Sequence, residues 1–190
     1  MTAAQLAATR TRAWKRLVDA RPPEWVLRHC RAVEALAAAM CDAAEKQGLV
    51  PDRAVVQAGA LLHDIGRSQV QDVRHASLGE QMLASDGDWP ASIRRTVERH
   101  TGAGIDAKEA QALGLPVKDY TPKSLEERIV AHADNLYSGD RRLTLDELRA
   151  KYLAKGLPAA WARIEDLHRS LGEELGVDLE KLQPAALAEP

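Results

Sequence analysis

Apolar side chains recur three and four residues apart over most of the chain, and proline, glycine and short polar residues interrupt the runs. Val26, Val33, Leu36 and Met40 keep helical spacing behind Pro22-Pro23 and ahead of Gly48, which predicts a long helix to about Gln47. Pro51 opens a second helix, expected to reach about Asp64 and end at Gly66. A polar connection from Arg67 to Arg74 leads to a short helix from about His75 to Ala84. Asp86-Gly87-Asp88 breaks it, and Trp89-Pro90 starts another through His100. Thr101-Gly102-Ala103-Gly104 reads as a loop, and Asp106 to Leu113 as a short helix closed by Gly114. Ser124 with Glu127, and Thr144 with Glu147, have the spacing of capping boxes. The first predicts a helix to about Tyr137 that stops at Ser138-Gly139; the second predicts helices at about 145–155 and 158–175. Gln183 to Pro190 reads as a frayed tail.

Composition narrows the class. The chain has 190 residues, enough to bury a core without covalent staples. Ala and Leu are abundant, Phe is absent and aromatics make up 4%, so strand-forming runs are scarce and an all-α fold is expected. A net charge of -2 gives no bulk attraction to polyanions, though a local basic pocket is compatible with it. No apolar run approaches the ~18 residues of a membrane span, and MTAAQLAATRTRAWKRL lacks the apolar centre of a signal peptide. Cys30 and Cys41 are eleven residues apart in one predicted helix, too far to bridge at ~1.5 Å rise per residue. Together these features predict a reduced, cytoplasmic protein.

The histidines and aspartates fall where polar groups are costly. His29 lies three residues after Val26 and four before Val33, on the buried stripe. His100 follows Ile93 and Val97 at the same spacings, His63-Asp64 closes the apolar run Ala58-Gly59-Ala60-Leu61-Leu62, and Asp134 follows Val130 by four. Singly, each has an ordinary explanation as a hydrogen-bonded core histidine, a cap or an ion-pair partner. Buried together, imidazoles and carboxylates need a compensating charge, which a divalent cation supplies. Nitrogen and carboxylate donors suit Mn, Fe, Co, Ni or Zn. His132, two residues before Asp134, points roughly 200° away from it around the helix. His168, among Glu165, Asp166 and Arg169, reads as a surface residue, and Trp14 and Trp25 as packing for an N-terminal helix.

His29, then Leu61-Leu62-His63-Asp64-Ile65-Gly66, then Ala131-His132-Ala133-Asp134 resembles the HD superfamily of metal-dependent phosphohydrolases in its HDIG form. His75-Ala76-Ser77-Leu78-Gly79-Glu80 and Glu98-Arg99-His100-Thr101-Gly102 add to the likeness, which covers about Pro22 to Gly139. The segment from Glu98 to Asn135 is also similar to a small HDIG subgroup of mostly uncharacterised archaeal and bacterial proteins. The resemblance implies an HD-domain helical bundle with a C-terminal helical extension. Residues 1–21 would form an N-terminal helical segment, 22–140 the metal-binding domain, and 141–190 an extension packed on that domain.

The resemblance also implies a ligand set. His29, His63, Asp64 and Asp134 would hold one metal, and His75, His100 and a bridging Asp64 oxygen a second, with open positions left for water and substrate. Asp64 and His63 would then be the catalytic pair. The implied activity is hydrolysis of a small phosphate ester, a nucleotide or cyclic phosphodiester, by metal-bound hydroxide. Arg67 stands near where many relatives have a phosphate-binding Lys. Gly102, Lys108, Arg128 and Asn135 are further substrate-binding candidates. The expected partner is a small phosphorylated molecule, with neither a membrane nor a nucleic-acid polymer, and residues 141–190 are available to a second copy. A diiron oxygenase and a non-catalytic metal-binding module stand as alternatives.

Overall fold

The computed structural model describes residues 2–188, and helices dominate it. In chain order they are α1 (Ala3–Asp19), α2 (Glu24–Lys46), α3 (Arg53–Leu62), α4 (His75–Ser85), α5 (Ala91–Glu98), α6 (Ala107–Ala112), α7 (Leu125–Asn135), α8 (Leu145–Ala154) and α9 (Pro158–Leu175). A 3₁₀ turn at Ile65–Ser68 follows α3. A two-stranded antiparallel hairpin, β1 (Tyr137–Ser138) and β2 (Arg141–Arg142), pairs Tyr137 with Arg142 and Ser138 with Arg141. The fold is therefore all-α with one short ribbon. No described helix is long and apolar enough to cross a membrane.

The helix α2 is apolar on two sides and separates two cores. On one side Val33, Leu36 and Met40 meet Ile129, Val130 and Ala133 of α7 and Trp161, Ile164, Leu167, Leu171 and Leu175 of α9. On the other, Val26 and Cys30 meet Leu17 of α1, Leu61 and Leu62 of α3, and Leu83, Ile93 and Val97. Each large aliphatic side chain buried this way contributes about 1.5–3 kcal/mol. From Ala54 to Leu62 every residue of α3 is buried. A helix apolar all round is a core helix, and the end of this one carries the next two residues, His63 and Asp64, into the centre of the molecule. Cys30 and Cys41 are both free and buried.

Three local differences from the expected elements have clear causes. The Ser124 hydroxyl caps α7 by accepting from Glu127 N, but the reciprocal half of a capping box is missing. The Glu127 carboxylate accepts instead from Lys123 N, Arg95 and Arg99. Thr144 and Glu147 do form the full box at α8. Asp64 stands not inside α3 but in the turn beyond it, because the chain tightens into the 3₁₀ segment. Gly66 permits that turn to lie against α4: a Cβ there would sit 2.0 Å from the His75 carbonyl oxygen. In the described part of the tail, Ala185 N donates to Ala35 O, so the segment is tied to α2.

Candidate metal centre

Six side chains from separate parts of the sequence meet between the two cores. His29 projects from the second turn of α2, His63 caps the end of α3, and Asp64 begins the 3₁₀ turn. His75 opens α4, His100 lies just beyond α5, and Asp134 is in the last turn of α7. His29 Nε2 is 2.9 Å from Asp134 Oδ1, 3.0 Å from His63 Nε2 and 3.8 Å from Asp64 Oδ2. On the other side, His75 Nε2 is 3.0 Å from both His100 Nε2 and Asp64 Oδ1. The two oxygens of Asp64 thus face two different sets, His29 with His63 and His75 with His100. Within each of three overlapping trios a donor atom from every member lies within 4.8 Å of the others: His29, His63 and Asp64; His63, His100 and Asp134; Asp64, His75 and His100.

The backbone fixes the tautomer of all four rings. His29 Nδ1 donates to Gly139 O at 2.7 Å, His63 Nδ1 to Ala60 O at 2.7 Å, His75 Nδ1 to Asp72 O at 2.6 Å and His100 Nδ1 to Val97 O at 2.7 Å. A carbonyl only accepts, so each Nδ1 carries its hydrogen and each neutral ring turns the lone pair of Nε2 inward. Acceptors then confront acceptors, nitrogen against nitrogen and nitrogen against carboxylate. Asp64 Oδ1 is buried without a hydrogen-bond donor. A cation between them resolves the conflict, and carbonyl-oriented imidazoles with shared carboxylates form a donor set suited to divalent transition metals.

The electrostatics of His63 and His100 agree with this arrangement. Burial, reinforced by the neighbouring His63 and His75, pushes the His100 pKa down to about 3, and burial likewise lowers His63. Burial also acts to lower His29, but the Asp134 hydrogen bond and the Asp134 and Asp64 charges outweigh it and raise the value. Burial opposes ionisation of Asp64 and Asp134, yet the surrounding imidazoles hold both carboxyls well below the ordinary range. The acids are charged and His63 and His100 are neutral, which is the state that ligates.

A cavity of about 360 Å³ opens over this cluster. His29, Asp64, His75, His100 and Asp134 reach it, and Arg67, Gly102 and Asn135 line it as well. Arg67 Nε donates to Asp64 Oδ2 at 2.6 Å, and Asn135 Nδ2 holds the loop by donating to Gly102 O at 3.0 Å. Two expected substrate-binding residues lie elsewhere. Lys108 is exposed on α6, and Arg128 turns away to a two-pronged pair with Glu174. Neither lines the cavity. His132 is buried as expected, but its partner is His168 Nδ1 at 2.9 Å. His168 is accordingly half-buried rather than a surface residue.

Sequence reasoning missed part of the wall. Trp25 does not pack an N-terminal helix; it stands 39% exposed at the cavity, with the Arg67 guanidinium 5.7 Å from its ring centre. Leu148, Lys151, Tyr152 and Lys155 of α8 and its cap form another side. Their spacing of three, four and seven residues was the available signal, concealed because the stripe mixes charged and apolar side chains.

The HD-domain family model matches residues 26–139. A protein of Picrophilus torridus named tRNA (cytidine(56)-2'-O)-methyltransferase is 48% identical over 158 residues, covering 83% of this chain and 44% of that protein. One of the same name from Thermoplasma volcanium is 45% identical over 161 residues, covering 84% and 45%. A Methanocaldococcus jannaschii protein, named only as uncharacterized, is 43% identical over 129 residues, covering 68% and 76%. The chain spans less than half the length of the two methyltransferases it matches. No solved structure matches it. These relatives correct the expected activity. The named ones are methyltransferases, not phosphohydrolases, which overturns the expected phosphate-ester hydrolysis. Their names also include tRNA, against the expectation that excluded a nucleic-acid polymer. A fold and its ligand pattern are shared across chemistries, and the reaction does not travel with them.

Proposed function

The chain belongs to the HD-domain family, and from that membership we propose that it is an enzyme of tRNA modification whose divalent-metal centre grips a phosphate of the RNA. The observation that carries the metal centre is the set of four imidazoles tied through Nδ1 to main-chain carbonyls, so that every Nε2 converges on Asp64 and Asp134. His29, His63, Asp64 and Asp134 would hold one ion and His75, His100 and the second Asp64 oxygen another, each Fe, Mn, Co, Ni or Zn. Bound there, the cations supply positive charge to phosphate oxygens.

The protein's own groups complete the grip. Arg67 lies over Asp64 with a guanidinium that can fork two phosphate oxygens. Asn135 fixes the Gly102 loop that forms the rim. The names of the relatives support RNA as the substrate and the ribose 2'-oxygen as the target. In RNA that oxygen neighbours the 3'-phosphate, so a site that immobilises the phosphate also positions the ribose.

Metal content and tRNA binding test the reading together. Protein loaded with Mn or Zn and desalted should hold metal by elemental analysis, and it should bind unmodified tRNA more tightly than chelated protein by roughly tenfold or more. Methyl transfer to cytidine 56 with a methyl donor present would extend the match to the relatives. Binding of tRNA that is indifferent to chelation and to Arg67→Ala would overturn the proposal.

A further inference from the structure

We propose that α8 builds a second anion subsite into the metal cavity, and that Lys151 and Lys155 there make the site select nucleotides with two phosphates over those with one. The inference rests on the phosphate grip proposed above and specifies the ligand class. Three observations carry it.

First, Leu148, Lys151, Tyr152 and Lys155 form one face of α8, and all four line the cavity. Leu148 is fully buried and anchors that face to the α2–α7–α9 core, so the helix is held with its lysines at the cavity. Second, neither lysine is held in an ion pair, and the carboxylate that acts on Lys151 is Asp134 of the metal cluster. Most arginines and lysines of this chain pair with a carboxylate within 4.0 Å; among the described residues neither Lys151 nor Lys155 does. They share the cavity with Arg67, which is already bonded to Asp64, so the two lysines are the cations of this wall left to take up an anion. Third, the space is larger than a single phosphate requires. At about 360 Å³ it falls within the ~300–1,000 Å³ typical of small-molecule sites. Trp25, exposed at the same mouth, offers the aromatic face on which a base stacks.

The charge is also divided by depth. Asp64 and Asp134 lie at the cavity floor, where their charges would be taken up by the metal ions. Arg67 reaches down to Asp64, whereas both lysines lie on the exposed side of the wall. One phosphate at the floor and another at the lysines would satisfy both ends, with the nucleoside spanning between them. Residues 26–139 match the family model and α8 lies outside them, so this subsite is an addition of the flanking chain.

Titration calorimetry on the metal-loaded protein, with cytidine 5'-monophosphate, cytidine 5'-diphosphate and cytidine 3',5'-bisphosphate, tests the inference. At least one of the doubly phosphorylated nucleotides should bind about tenfold or more tightly than the monophosphate, and which one does reports whether the two phosphates are adjacent or flank the ribose. Lys151→Ala with Lys155→Ala should abolish that preference while metal content by elemental analysis stays the same. Arg149→Ala, removing an exposed charge from the same helix, should leave the preference intact. Equal affinity for all three nucleotides, or a preference that survives the double substitution, would overturn the subsite. A loaded protein that holds metal but binds none of the three, nor inorganic phosphate, would instead overturn the phosphate grip on which it rests.

Discussion

Each histidine at the centre uses its Nδ1 hydrogen on a main-chain carbonyl, and that detail sets what substitutions should do. Asp64 faces both sets of nitrogens, so Asp64→Ala removes a donor from each. Its metal content should fall to near zero after desalting while the helical circular dichroism persists. His75→Ala removes a donor from one side only. Elemental analysis should then show about one metal fewer per chain than wild type, and equal contents would count against the second ion. His29, His63, Asp64, His100 and Asp134 stood out in the sequence because imidazoles and acids on apolar runs are anomalous, whereas His75 entered only with the family resemblance. Lys108 and Arg128 do not line the cavity, and one sequence does not say which side of a helix faces it. Trp25 was misplaced for the opposite reason, since an aromatic beside a helix start reads as packing whether or not a cavity lies beneath it.

At the scale of elements, two contacts set the geometry. The 3₁₀ turn after α3 touches the start of α4 through Gly66, where no side chain fits. Gly66→Ala should destabilise the protein by ~1–3 kcal/mol, the usual cost of overpacking, and should lower metal content because His75 is displaced. Thermal melts and elemental analysis read the two effects. Glu127 clamps α7 to α5 by accepting from Arg95 and Arg99 as well as from Lys123 N. Burial acts to raise the Glu127 pKa, but the Lys123 N–H and the two guanidinium groups prevail and depress it. A carboxyl depressed in the folded state stabilises above its unfolded value near ~4.3 and loses that contribution as pH falls through the folded value. Glu127→Gln should therefore be less stable at pH 7, by ~1.5–3 kcal/mol for lost charged hydrogen bonds, and its melting temperature should fall less steeply below pH 4 than that of wild type. The helices themselves were legible through prolines, glycines and caps. The hairpin was not, because two-residue strands carry no period to detect.

For the whole molecule, metal is an expected part of the fold's stability. Ions that bind the native state and not the unfolded chain stabilise it by mass action, about 2.7 kcal/mol at a hundredfold excess over Kd. For a chain of this size that corresponds to ~5–10 °C in Tm, to be lost on adding a chelator; a melting curve unmoved by loading would mean no ion is held by the native centre. The reaction was the least legible property. Ligand spacing belongs to the scaffold and is shared across chemistries, whereas the contacts proposed to choose a ligand come from α8, outside the residues that match the family model.

The ribbon between α7 and α8 ties those two levels together. Its turn residue Gly139 supplies the carbonyl that orients His29, Asp140 beside it pairs with Arg28, and its second strand leads directly into the lysine-bearing helix. A molecule settling against that helix would bear on the same short segment that aims an ion's ligand. Occupancy of the mouth and occupancy of the floor would then be linked functions, and thermodynamic reciprocity requires each to change the other's affinity by the same factor.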